Sequence, residues 1–559
     1  MGRPSQVKPP RAGTSRREFF KRAGTTTAAL AVVPMFVDAA PPVFQHGVAS
    51  GDPLADRVIL WTRVTLVSAK PLVPVNLVIA TDPGLRNIVQ RAATTTSAAR
   101  DFTVKIDLLG LRPNTTYYYQ FTAGGSTSPV GRTKTLPVGS IDRLRMAVVS
   151  CSNHAYGYFN AYGRIAARAD LDLVVHLGDY LYEYGANVYG TARTPEPATE
   201  MVTLADYRAR HAQYKRDADA QAVHRQHPFV AIWDDHEITN DSWVGGAQNH
   251  TDATEGPFAQ RVAAGLQAYY EWMPVRVGGQ GVDATDLRHN QRSFRYGDLV
   301  ELLMLEERLS ARSKQLDPNV ATPLGPGFTQ TGAYADPART LLGNAQETWL
   351  ADRLRTTPAR WKLLGQGVMF AQLKGVAATN AAGGGAFLNS DQWDGYQPAR
   401  NRLYDVIKGD ATHARVDNVV VLTGDIHSSW VADLTQDPNN TDLASGGYNR
   451  VTGEGSQAVE FVGTSVSSPG IDTDTNGGIA GFLRSLNPHF KFINLHRRGY
   501  MLLDVTAQRA VCEFWFVDTV ASPSNIETFE KAFEVQTGAN RVGPSVQTTP
   551  HANPPLLAP

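Results

Sequence analysis

The sequence predicts a mixed α/β (α+β) protein in two parts: a small N-terminal β-sandwich, then a larger domain in which buried strands are flanked by helices. Three observations predict it. The stretch from Val43 to about Pro137 is all-β in pattern. Beyond Ile141, four apolar runs of strand length each end in residues able to hold a metal ion or a proton. Between those runs lie segments of helical periodicity with ordinary start and stop residues.

Length and composition bound the rest. A chain of 559 residues exceeds one ordinary core, so two domains plus appendages are expected. With 53 basic against 53 acidic residues, the bulk charge offers nothing to a nucleic acid or other polyanion. No apolar run beyond the N-terminus reaches membrane-spanning length. Residues 1–40 read as an address. Ser15-Arg16-Arg17-Glu18-Phe19-Phe20-Lys21 precedes the mildly apolar Thr25 to Val37, and Asp38-Ala39-Ala40 supplies small residues for cleavage. That is the layout of a signal for the twin-arginine translocation machinery, and it predicts a secreted, periplasmic or cell-wall location under oxidising conditions. The chain has two cysteines, Cys151 and Cys512, which leaves a disulfide between them as one option. Cys151 ends a core strand beside the other candidate ligands, so the reading favours a metal thiolate there and a core role for Cys512.

In the N-terminal part, Val58 to Val64 and Val75 to Ala80 are strand-like. Thr115 to Thr122 alternates, with Tyr117, Tyr119 and Phe121 on one face. Leu111-Arg112-Pro113-Asn114-Thr115 reads as a turn feeding a fibronectin-type strand, so residues 41–138 are expected to form a fibronectin-like packing module. Residues 139–520 form the expected catalytic domain. An amphipathic helix is expected from Leu204 to Val223, with His211 packed on its apolar stripe and Arg208 turned to solvent. Further helices are expected at Phe258 to Trp272, after Pro257, and at Leu341 to Leu354; Trp361 to Phe370 reads as a strand. Gly375 to Gly385 is a loop rich in Gly and Ala. Residues 521–559 are expected to be a mobile tail carrying a short helix, Ile526 to Val535, that would gate the site.

The chemistry lies in the residues just past the four apolar runs. Arg145 to Ser150 leads into Cys151, Leu171 to Leu177 into Gly178-Asp179-Tyr180-Leu181-Tyr182-Glu183, Phe229 to Trp233 into Asp234-Asp235-His236-Glu237, and Asn418 to Thr423 into Gly424-Asp425-Ile426-His427. In α/β sheets, ligands bind beyond the carboxyl ends of the strands. Adjacent acids after a buried strand are costly unless a cation or hydrogen bonds offset them. Residues two apart on an extended segment point the same way, so Asp425 and His427 could grip neighbouring ions. Competing chemistries lack their residues. Asn240 stands where a zincin would place its second histidine, no Gly-x-Ser-x-Gly elbow or Gly-x-x-x-x-Gly-Lys loop occurs, and His489-Phe490-Lys491 is not followed by the aspartate of a His-x-Lys phospholipase D.

These motifs, in this order, resemble those of the PhoD-like alkaline phosphatases and phosphodiesterases. That family is a branch of the calcineurin-like, purple-acid-phosphatase-like metallophosphoesterases, and the branch includes secreted iron-containing phospholipase D enzymes. Phe44 to Pro53, Leu60-Trp61-Thr62-Arg63, Trp393-Asp394-Gly395-Tyr396 and Thr464 to Pro469 are similar to further family segments, so the likeness spans nearly the whole mature chain. The resemblance implies a metallophosphoesterase β-sandwich flanked by helices and a site with Fe3+ and Ca2+. Cys151, Asp179 and Tyr182 would hold the iron, with Asp179 bridging. Asp235 and Asn240 would serve the second cation, Asp425 and His427 would close the constellation, and His236 would contact phosphate or protonate the leaving group. One departure is Leu305-Glu306-Glu307-Arg308, where the family shows Leu-Asp-x-Arg: Glu306 would replace the aspartate, and the role of Arg308 is left open.

The expectation is therefore a secreted hydrolase of phosphate mono- and diesters, monomeric, attacking phosphorus with a water that bound cations activate. A phospholipase D acting on phosphatidylcholine-like diesters at the same site stays open, because the leaving-group pocket is made by loops. A silent surface-binding protein fits the complete ligand set less well.

Overall fold

The computed structural model describes residues 43–65, 71–281, 285–378 and 384–559. The twin-arginine stretch and residues 379–383 of the Gly/Ala-rich loop lie outside them.

Two sheets stacked face to face form the centre. Among the described residues, a ten-stranded sheet runs in the spatial order Val542–Ser545, Glu527–Gln536, Arg509–Val517, Gly499–Thr506, Arg143–Val149, Leu173–His176, Pro228–Ala231, Val48–Gly51, Arg57–Arg63, Thr103–Leu109. A seven-stranded sheet runs Arg292–Tyr296, Val300–Met304, Trp361–Gln366, Val419–Thr423, Ala458–Val462, Ser429–Leu434, Phe490–Asn494. Alternation along each strand decides what each face meets. Met146, Val148, Val175, Val230 and Ile232 point inward against Leu302, Met304, Leu363, Val420 and Leu422 of the second sheet. Ala147, Val149, Val174, Phe229 and Ala231 point outward, under the helices Leu204–Arg216, Ala218–Gln226 and Phe258–Trp272. The helices Gly343–Thr356 and Gln397–Lys408 cover the far face of the second sheet. The strands are apolar on both sides because both of their faces are buried.

The N-terminal part is the β-sandwich the alternation predicts: Val58, Leu60, Val104 and Leu108 pack on Val75, Leu77, Ile79, Tyr117, Tyr119 and Phe121. One of its sheets is continuous with the central sheet. Val48–Gly51 pairs in parallel with Pro228–Ala231, Ser50 opposite Pro228 and Gly51 opposite Phe229.

Four expectations are corrected. The Leu204-to-Val223 helix is two helices, because Asp217 accepts the N–H groups of Asp219 and Ala220 and starts a second one. His211 is buried on the first as expected, whereas Arg208 is not turned to solvent: it forms a bidentate pair with Glu271 at 2.6 and 2.7 Å. The gating helix Ile526 to Val535 is instead the strand Glu527–Gln536, antiparallel to Arg509–Val517. Phe529 and Phe533 lie four apart and mimic a helical stripe, but the open edge of Arg509–Val517 captures the segment and buries Phe533 and Val535 in the core. The tail is fastened rather than loose. Tyr118 donates to Leu556 O at 2.5 Å, and Gln226 both donates to and accepts from the Ala558 backbone at 2.9 and 2.8 Å.

Candidate metal centre

Three neighbouring parallel strands of the large sheet, and Val419–Thr423 of the facing sheet, end along one rim. At each end the chain turns sharply. Cys151, Asp179, Asp425 and His427 all adopt positive φ, at 61°, 55°, 61° and 58°. A left-handed conformation costs a non-glycine residue about 1–2 kcal/mol, and such strain clusters where a side chain must be aimed. Gly178, at φ 101°, lets the turn lie against Asp234: a Cβ there would sit 2.5 Å from the Asp234 backbone nitrogen.

The turns bring the predicted donors together. Ligand atoms of Cys151, Asp179 and His427 lie within 4.8 Å of one another, as do those of Asp179, Asp235 and His236, and those of Asp234, Asp235 and Asp425. Asp179 and Asp235 each belong to two groups, so the three are one continuous cluster. Tyr182 joins the first group: its hydroxyl donates to Asp179 Oδ2 at 3.0 Å, lies 3.0 Å from His427 Nε2, and accepts from Ser468 at 2.7 Å. His427 Nδ1 sits 2.7 Å from Pro469 O, a contact that needs the proton on Nδ1 and leaves Nε2 as the donor atom for a cation. Burial, and then the Asp179 charge, push the Cys151 thiol and the Tyr182 phenol well up. A bound cation would reverse both directions. Cys151 and Cys512 are free and buried, so the disulfide alternative is excluded.

The second half is organised by Arg308, whose role the sequence left open. It is fully buried and pairs with Asp234, with Asp391 at 2.9 Å and with Asp425 at 3.1 Å, while Asp235 lies 3.8 Å away. Burial still pushes the Asp234 carboxyl well up, although Arg308 opposes it. Glu306, at the aspartate position of the Leu-Asp-x-Arg segment, accepts the N–H groups of Arg308, Leu309 and Ser310 at 2.7–2.8 Å and the Trp233 indole at 2.9 Å, so it builds the turn that carries Arg308. Asp391 and Glu183 were missed as site residues. Glu183 had a signal, four positions after Asp179 in the same motif; Asp391 had none. Glu183 Oε2 lies 2.7 Å from His236 Nδ1, and its other oxygen accepts the Asn240 N–H and the Asn249 amide, each at 2.9 Å. Burial would lower His236, but Asp235, Glu183 and Asp179 raise it to about 10, and its Nε2 has no hydrogen-bond partner among the described residues. Glu237 fixes the second turn to the third by accepting the N–H groups of Tyr180 at 2.6 Å and Asp234 at 2.9 Å. Asn240 is buried on the turn after His236, with its side-chain amide on Gln248 at 3.1 Å.

Parallel strands delivering a thiol, a phenol, imidazoles and carboxylates to one rim make a candidate metal site, and comparison with known proteins gives the class, a phosphoesterase. The chain belongs to the PhoD-like phosphatase family: the family model matches residues 146–514, and that of the family's N-terminal domain matches residues 30–137. It is similar to alkaline phosphatase D of Bacillus subtilis (strain 168), 36% identical over 555 residues, a match covering 94% of this chain and 89% of the relative. A solved structure described as that of PhoD superposes with a TM-score of 0.79 at 34% identity, covering 92% of this chain and 95% of the other.

Proposed function

We propose that this chain is an exported, metal-dependent phosphoric ester hydrolase of the alkaline phosphatase D type, acting on phosphate mono- and diesters. The observation that carries the reading is the single cluster formed by Cys151, Asp179, His427, Asp234, Asp235 and Asp425 at the ends of parallel strands. Its donors are of two kinds. Thiol, phenol, imidazole and carboxylate at Cys151, Tyr182, His427 and Asp179 suit Fe3+; the oxygen-only side, Asp235 and Asp425 with Asn240, suits Ca2+, with Asp179 shared. When bound, such cations would screen the phosphoryl charge and lower the pKa of water.

The chain's own residues supply the rest. Glu183 holds the His236 ring by Nδ1, so that Nε2 is the atom left to donate to an ester. As water attacks phosphorus, the bond to the leaving oxygen breaks, and the proton on His236 Nε2 neutralises that oxygen. Arg308 holds Asp234, Asp391 and Asp425 in one geometry, so the rim does not reorganise as charge develops. No helix among the described residues is long and apolar enough to cross a membrane. Export follows from Arg16-Arg17 and the apolar stretch behind them.

The test is to purify the protein, measure its iron and calcium content, and assay a monoester, a simple diester and phosphatidylcholine before and after chelation. Turnover that disappears with the metals and returns on adding them back supports the reading, and a visible band from a Tyr182 phenolate on ferric iron accompanies it. A colourless, iron-free preparation with full activity overturns the metal assignment. Preference for phosphatidylcholine redirects the reading to a phospholipase D.

A further inference from the structure

The segment after Glu183 stays close to the centre. Tyr184 and Tyr189 are half-buried, whereas His236 beneath them is 1% exposed. The Tyr189 ring lies 6.2 Å from the His236 ring at an interplanar angle of 26°, 5.7 Å from Tyr182 and 6.4 Å from His427. Tyr184 stands 5.5 Å from His236 and 5.2 Å from Tyr189. The two rings therefore roof the histidine whose Nε2 faces the reaction, and Tyr189 spans both halves of the cluster.

Its hydroxyl faces the His427 imidazole. It lies 3.5 Å from His427 Nδ1, an atom already engaged at 2.7 Å by Pro469 O. The backbone around the ring is fixed. Tyr189 O accepts from Asn153 Nδ2 at 2.8 Å, and the Ala192 N–H donates to Ala155 O at 2.8 Å. Arg193 donates to His154 O at 3.1 Å and Gly157 O at 2.6 Å while pairing with Asp217 at 2.5 Å. Gly190 permits the close approach, since a Cβ there would fall 2.4 Å from the Ala155 carbonyl carbon. A half-buried aromatic face held this firmly loses little entropy when a flat partner settles on it.

We propose that Tyr189, supported by Tyr184, is a specificity-determining wall on which a planar aromatic leaving group stacks, so that this site favours aryl over alkyl phosphate esters. The inference rests on the hydrolase reading above, because the group protonated by His236 is the one placed beside these rings. The wall makes no covalent step; it positions the leaving group and separates His236 from solvent.

The experiment compares kcat/KM for phenyl phosphate and hexafluoroisopropyl phosphate, whose leaving groups are similar in acidity but differ in flatness. The metal-loaded wild type is measured beside Tyr189→Leu, Tyr189→Phe and Tyr184→Leu. Taking the ratio of the two substrates cancels any difference in folded or loaded fraction between variants. Tyr189→Leu is expected to lower the aryl-to-alkyl ratio about tenfold, Tyr184→Leu by less, and Tyr189→Phe is expected to retain the ratio. A ratio unmoved in Tyr189→Leu overturns the proposal, as does an equal fall in Tyr189→Phe, which would assign the effect to the hydroxyl. Wild-type protein that hydrolyses neither ester sinks the hydrolase reading itself, an outcome visible before any variant is made.

Discussion

Among the described residues, a dense group of polar side chains on the rim where the strands end and another beneath the helices of the large sheet differ in almost every respect. At the strand ends, Asp179, Asp234, Asp235 and Asp425 crowd together, Asp179 and Asp425 at positive φ, and Arg308 ties Asp234 and Asp425 to Asp391, which Arg312 also holds. Beneath the helices, His46, His211, His224 and Lys215 gather with Trp61, Trp272 and Tyr180, ring against ring; His211, Lys215, His224, Trp61 and Trp272 sit on helices or a strand. Neither ring nitrogen of His46 or His211 has a hydrogen-bond partner among the described residues, and burial lowers His46 to about 3. The first group is negative and strained, and its donors are spaced to hold cations. The second is made of bases kept neutral by desolvation, and it needs no ligand. Burial of ionisable groups is common to both; the backbone strain and the excess of one charge sign separate a site from packing.

The contrast breaks most readily at Asp179, which two of the donor groups share. Asp179→Asn removes a charge from both, and kcat is expected to fall by about 10²–10³-fold while iron content drops in the same preparation. Normal iron content in the variant would show that the cluster does not depend on this carboxylate.

Arg308 comes next. Replacing it by Met leaves Asp234, Asp391 and Asp425 without their shared partner, and breaking such a buried pair costs about 3–5 kcal/mol. Urea denaturation of metal-free protein should register that loss, and added calcium should recover part of it, because a cation can take over the compensation. Equal losses with and without calcium would mean that Arg308 and the cation do not serve the same acids. For Glu183→Gln the expected cost is a charge-assisted hydrogen bond, about 1.5–3 kcal/mol or roughly 10–100-fold in rate. The fall should be steeper for esters with poor leaving groups, which depend most on the His236 proton. A uniform fall across leaving groups would make Glu183 merely structural.

The sequence made the four strand ends legible, since doubly buried strands are unbroken apolar runs and their last residues stand out against them. It also placed Cys151 among the candidate donors rather than in a disulfide. Arg308 and Asp391 were not legible as partners. They meet the Asp234 turn across gaps of 74 residues or more, set by the stacking of two sheets, and no spacing in the chain encodes that. The strand Glu527–Gln536 was misread for a related reason: its local pattern permits a helix, and only an open sheet edge elsewhere decides otherwise. Likewise the N-terminal sandwich reads as a separate module until the parallel pairing of Gly51 with Phe229 makes one sheet of both parts.

The smallest expected effect tests the second group. Lys215 is buried with its Nζ 2.7 Å from His224 Nε2, 4.8 Å from the Tyr180 ring centre and 5.3 Å from that of Trp61, and burial alone drives its pKa well below the ordinary 10.5. The unfolded chain therefore binds one more proton than the folded one until the pH reaches the unfolded value. Stability then rises with pH, and the penalty vanishes above about 10.4. Lys215→Met removes that penalty while keeping much of the volume, so the variant should be more stable than wild type near pH 7 by on the order of 1 kcal/mol. The gain should shrink to nothing or reverse as the pH approaches about 10.4, where the lost hydrogen bond to His224 is all that remains. Urea midpoints measured at several pH values decide the matter. A gain independent of pH would mean that Lys215 carries its proton inside the fold, and the distinction between a charged site and a neutral packing cluster would then fail at its clearest residue.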